Sequence, residues 1–176
     1  MSFESRFSEQ EQVLLSSLPT LVGSVMTFAE GSGMSTIMEM MASSRTMLEG
    51  SKQFASNEII SGILPNMTST SEAMSEAKEL RNKVQSHLKT HEVDSKDELM
   101  SQVLNDCKKA SELLQAKATP QEAEEYKKWT LNIAEAVAKA AKEGGFLMFG
   151  GTQISDGEKK LFSDLAEALN VQRSLS

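Results

Sequence analysis

This chain is poor in nearly everything that staples or stiffens a small protein. It has one cysteine, three prolines, one tryptophan and one tyrosine in 176 residues. A single cysteine excludes an internal disulfide framework. No stretch approaches the ~18 consecutive apolar residues of a membrane-spanning helix, so no span is expected. A basic excess is also missing: the formal net charge is −7, with acidic and basic residues interspersed. Phosphate-backbone binding needs a basic stripe that displaces counterions, so nucleic acid is not an expected partner. The first dozen residues hold no apolar run of the secretory kind, which predicts a cytoplasmic protein. The Asn66-Met67-Thr68 sequon is then a coincidence. The length suffices for a single domain that buries its own core, with an internal boundary, if any, near residues 65–70.

What is present is helical text, without strand signals. Ser8 to Glu11 reads as a capping box, hydroxyl and carboxylate each satisfying an amide that the first turn leaves free. Behind it Leu14, Leu18, Leu21, Val22, Val25, Phe28 and Ala29 recur with helical period. Pro19 falls inside this run, where it removes one donor and predicts a kink or two short helices. A second helix over 35–55 carries Met34, Met38, Met41 and Leu48 on one side, widened by Ile37, Met40 and Met47. Residues 56–71 read as a short buried helix around Ile59, Ile60 and Ile63, then a loop beyond Pro65. A third long helix over 71–90 lines up Ala73, Ala77, Leu80, Val84, His87 and His91.

Ser95 to Glu98 opens the next helix, with Leu99, Val103, Cys107, Ala110 and Leu114 inward. Thr119-Pro120-Gln121-Glu122 is the clearest start, a cap residue, proline at the first helical position and glutamate at the third. Its inner face is Trp129, Ile133, Val137 and Ala140, among alanines that permit close helix approach. Ser155 to Glu158 caps a last helix bearing Leu161, Phe162, Leu165 and Leu169. The pattern predicts an all-α, single-domain bundle of five or six helices.

The helical text is broken once without turning polar. Glu143-Gly144-Gly145-Phe146-Leu147-Met148-Phe149-Gly150-Gly151 holds four of the ten glycines. Two glycine pairs around an apolar tetrad describe a sharply turned segment that is expected to tuck into the bundle. Gly144, Gly145, Phe146, Phe149, Gly150 and Gly151 are therefore candidates for a ligand or interface surface. Met38 and Met41 join them, because a methionine stripe suits either plain core or an adaptable groove for a partner helix or an apolar ligand. A phosphate cradle is disfavoured: no Gly-Lys-Ser or Gly-Lys-Thr ending is present, and Asp156 and Glu158 already hold the next helix N-terminus.

His87 and His91 stand four residues apart, a spacing that places two imidazoles on one helical face and could hold a transition metal. A full site needs a third and usually a fourth ligand. Position 88, where the zinc-protease motif keeps its glutamate, is Leu88, and the Glu-x-x-His pair of di-iron bundles is missing. The expectation is a purified protein without stoichiometric Zn, Ni or Fe, and no cofactor. Cys107, mid-helix on an apolar stripe, is expected to be an inert buried thiol. Glu124 and Glu125 read as solvated surface, and no nucleophile–base couple can be named.

Residues 119 to 171, with the Thr119-Pro120 start, the alanine-rich helix, the glycine-bracketed segment and Ile154-Ser155-x-x-Glu158, resemble the C-terminal portion of a group of small uncharacterised bacterial helical proteins. That resemblance implies a helical fold and no particular activity. Ile154-Ser155-Asp156-Gly157-Glu158 with Leu161, Leu165 and Leu169 is similar to a helix start in tellurite-resistance TerB-like domains, which implies a metal-stress role. The sequence thus predicts an acidic cytoplasmic protein that acts by self-association or by holding another protein, without catalysis of its own. The alternatives are a small apolar-ligand-binding module and a metal-binding protein using His87 and His91.

Overall fold

Four reciprocal caps set where helices begin in the computed structural model, which describes residues 2–28, 35–64, 70–143 and 154–175; within its helices the side chains at 28, 35–42, 51, 70–74, 76, 77 and 141–143 are not described. The helices are α1 (Phe3–Arg6), α2 (Glu9–Phe28), α3 (Ser35–Gln53), α4 (Glu58–Ile63), α5 (Thr70–Thr90), α6 (Lys96–Lys117), α7 (Pro120–Glu143) and α8 (Asp156–Ala168). No strand occurs among the described residues. At the heads of α2, α6, α7 and α8, the pairs Ser8/Glu11, Ser95/Glu98, Thr119/Glu122 and Ser155/Glu158 exchange side-chain and backbone bonds in both directions. Each such cap contributes about 1 kcal/mol. The described helices outnumber the five or six of the expected bundle: α1 is a single turn with no periodicity to read, and α4 is the short helix read around Ile59, Ile60 and Ile63.

The central helix is α2, which packs against α3, α5, α6, α7 and α8. Pro19 lies inside it, yet the helix runs unbroken from Glu9 to Phe28, so of the two expected outcomes the pair of short helices does not form. Proline removes the amide that would serve the carbonyl of Leu15 four residues earlier. Tyr126 of α7 supplies the missing donor, its phenol donating to that carbonyl at 2.8 Å. Burial pushes the Tyr126 hydroxyl well above its usual ionisation range, so it stays a donor. The inner face is also rotated slightly from the sequence reading. Leu15 is sealed, whereas Leu14 is half-buried toward α5.

On the other side of α2, α3 and α7 approach very closely. A Cβ on Gly50 of α3 would stand 2.1 Å from Trp129 Nε1. That indole nitrogen donates to the carbonyl of Met47 at 3.2 Å. Only glycine lets the α3 backbone lie on the indole face while the ring keeps a polar partner. A Cβ at Gly23 of α2 would likewise meet Ser43 Oγ at 2.5 Å. Trp129, Tyr126, Leu18, Ile133, Phe162 and Leu165 fill the interior, each large apolar side chain contributing about 1.5–3 kcal/mol.

Two ties close the ends. Arg6 forms a bidentate pair with Glu122, both contacts 2.8 Å. Behind α8, Arg173 reaches Asn132 Oδ1 at 2.7 Å and also pairs with Glu135, with its guanidinium over the Phe162 ring. Residues 144–151, and with them Gly144, Gly145, Phe146, Phe149, Gly150 and Gly151, lie outside the described residues, as does the boundary expected near 65–70. Met38 and Met41 belong to α3, but their side chains lie outside the description too.

Candidate functional site

Where the N-terminal turns of α2 run beside the C-terminal turn of α5 and the middle of α6, a cleft of about 620 Å³ opens. Val13 and Leu14 of α2 give it an apolar wall, Ser86, His87 and Thr90 line it from α5, and His91 from the turn just after that helix. Asp106 and Lys109 reach it from α6, and Glu9 flanks it from the start of α2. Glu11 also lines it but is engaged elsewhere: Lys117 and the Ser8 cap hold its carboxylate below the usual range.

The chemistry of the cleft centres on one buried pair. His87 Nε2 lies 2.6 Å from Asp106 Oδ2, with the histidine 9% and the aspartate 1% exposed. The other carboxylate oxygen accepts from Gln102 Nε2 at 2.7 Å, a bond one helical turn back along α6. A carboxylate only accepts, so Nε2 of His87 carries a proton, and in the neutral ring Nδ1 holds the lone pair. Distances this short belong to charge-assisted hydrogen bonds. Taking Asp106 out of water is costly, and His87 and Gln102 are the partners that offset it.

His91 is exposed, which departs from the buried stripe position read from the sequence. It lies where α5 ends in a left-handed turn at Glu92, φ 52°. Its Nδ1 is 2.8 Å from the carbonyl of His87, so Nδ1 carries a proton, and in the neutral ring the lone pair lies on Nε2. The two imidazole centroids are 4.5 Å apart and tilted by 51°. The structure therefore brings His87 and His91 together as the sequence spacing required. Among the described residues, no group of three His, Cys, Asp or Glu is arranged to hold a metal.

Asp106 is the residue that sequence reasoning missed. Its signal was available: it falls three residues after Val103 and four before Ala110, on the stripe otherwise assigned to the core. Cys107 is buried as expected, and burial first, then the Asp106 charge, push its thiol far up, so no thiolate nucleophile stands here. Glu125 is partly buried rather than simply solvated, accepting from Asn57 and Gln121, while Glu124 is exposed.

No family model, curated protein or solved structure matches this chain. The two likenesses noted in the sequence, over residues 119–171 and over Ile154 to Leu169, bring no activity to it. No helix among the described residues is long and apolar enough to cross a membrane.

Proposed function

We propose that this chain is a non-enzymatic binding module whose cleft between α2, α5 and α6 takes a small ligand with an apolar body and one polar end. The observation that carries the reading is the sealed His87–Asp106 pair at the wall of a cleft of about 620 Å³. Small-molecule sites are concavities of roughly 300–1,000 Å³, largely apolar, with a few convergent polar groups. Val13 and Leu14 supply the apolar part, while Glu9 and Lys109 put one charge of each sign within reach of the polar end. Thr90 is occupied by its bond to the Ser86 carbonyl, which favours binding over nucleophilic chemistry.

The test is a fragment screen by thermal shift and amide chemical-shift mapping on the full chain. Binders are expected to move the amides of 9–14, 86–91 and 106–109, and Leu14→Trp is expected to fill the cleft and abolish those shifts. Binding indifferent to Leu14→Trp, or confined to another face, would sink the reading. A cytoplasmic location and a protein contact through Met38, Met41 and residues 144–151, whether self-association or capture of a partner, belong to the same proposal. Sizing of the chain before and after Phe146→Ala and Phe149→Ala tests that contact, and a wild-type monomer counts against self-association.

A further inference from the structure

We infer that the two imidazoles at the cleft form an open site for a divalent transition metal, Cu(II) above Ni(II) and Zn(II), with the remaining coordination positions facing the cleft. The inference deepens the small-ligand reading and shares its cleft, since an open position on the ion would hold the ligand's polar end.

Three observations carry it. First, protein contacts fix which nitrogen of each neutral ring keeps its proton, leaving His87 Nδ1 and His91 Nε2 as the nitrogens that can bind an ion. Second, these contacts are of the kinds that metal-bound histidines make. Such rings give their other N–H to a carboxylate or a backbone carbonyl, which fixes the ring and raises its basicity. Here His87 has the carboxylate of Asp106, itself anchored by Gln102, and His91 has a main-chain carbonyl. Third, the rings are close and tilted, centroids 4.5 Å apart. Two nitrogens on one ion with bonds of about 2.0–2.1 Å sit roughly 3 Å from each other, a span this spacing accommodates.

The ligand count selects the metal. With no third His, Cys, Asp or Glu converging among the described residues, a closed structural zinc site is not on offer. Two neutral imidazoles suit a borderline ion rather than Mg²⁺ or Ca²⁺, and for a given nitrogen set affinity peaks at copper. Water, or a donor atom of a bound ligand, completes the sphere from the cleft. Such a site exchanges readily, so protein purified without added metal is expected to carry no stoichiometric ion.

EDTA-stripped full-length protein is titrated with Cu(II), Ni(II), Zn(II) and Mg(II) salts alone, followed by calorimetry and, for copper, electron paramagnetic resonance. One equivalent of Cu(II) with hyperfine coupling to two imidazole nitrogens is expected, with weaker Ni(II) and Zn(II) and no Mg(II) binding. His91→Ala, at an exposed position, is expected to keep the fold by circular dichroism and lower copper affinity at least about tenfold. Asp106→Asn should weaken it about 10–100-fold. Absence of binding, or binding that survives His91→Ala or Asp106→Asn in a folded variant, overturns the inference. Organic ligands screened in EDTA separate the two readings, because fragment binding with no copper binding removes only the metal site.

Discussion

Against α7, α3 lies so close that Gly50 has no room for a Cβ, whereas where α2 meets α5 and α6 the packing leaves a cleft of about 620 Å³. The first seam is made of small residues, an indole and a phenol whose polar atoms are satisfied by helix carbonyls, at Met47 and Leu15. The second is made by a polar helix whose Leu80, Val84 and Leu88 are only partly buried, with the His87–Asp106 pair as its sealed polar link to α6. Close packing gives the first side rigidity and no room for a guest. The second side combines space, two imidazoles at its lining and a fixed carboxylate, which is what recognition requires.

The largest break in that comparison is expected at the seam. Gly50→Val forces Trp129 out of its place and off the Met47 carbonyl, a loss on the scale of a buried tryptophan, about 4 kcal/mol by denaturant unfolding. Gly23→Ala should cost far less, because the Ser43 hydroxyl it meets can rotate away. On the cleft side, Asp106→Ala strips both His87 and Gln102 of their acceptor and is expected to cost about 2–3 kcal/mol. His91→Ala beside it should fall within about 0.5 kcal/mol, since the ring is exposed. An Asp106→Ala variant as stable as the parent would erase the contrast, for the loose side would then have no polar lock.

How much of this was legible follows from what each residue must satisfy locally. The cap pairs at Ser8, Ser95, Thr119 and Ser155 were readable because hydroxyl and glutamate act within three positions of each other. The apolar stripes of α6, α7 and α8 were readable for the same reason, and so was the burial of Cys107. The continuity of α2 was not, because the donor that replaces the lost proline amide lies 111 positions along the chain at Tyr126. Nor was the cleft: the His87–His91 spacing is local, but the carboxylate that orients His87 belongs to another helix. Gly50 gave no signal within the helix read over 35–55, because its need for the Trp129 indole is purely tertiary. Met38, Met41 and the segment around Phe146 and Phe149 lie outside the described part of that comparison.

At the Arg6 end the comparison sharpens through pH. The hydrogen bond from Arg6, followed by the Thr119 cap, holds the Glu122 carboxyl at about 2 against an ordinary 4.5, with the side chain 13% exposed. A depressed folded-state value means this stabilisation is complete above pH 4.5 and is lost as pH falls through the folded value near 2. Glu122→Gln should cost about 2 kcal/mol at neutral pH, allowing for solvent screening, and progressively less in acid. Parallel stability curves for the two proteins between pH 5 and about 2 would remove Glu122 from the acid response.

A smaller effect than these pair and seam losses is the most diagnostic, because it tests why α2 survives its proline. Tyr126→Phe leaves the Leu15 carbonyl, four residues before Pro19, without a protein donor and should cost about 1–2 kcal/mol. Pro19→Ala restores the amide that an ordinary helix would use for that carbonyl, so in its background the phenol becomes redundant. Tyr126→Phe should then cost about 0.5 kcal/mol or less, a coupling of roughly 1 kcal/mol in a double-mutant cycle. Additive costs would mean that the phenol stabilises the protein by packing alone, and that α2 tolerates an unserved carbonyl at its centre. Non-additive costs would make Tyr126 and Pro19 a single device, a helix defect repaired from α7, on the tight side of the molecule where no water can reach to do the same.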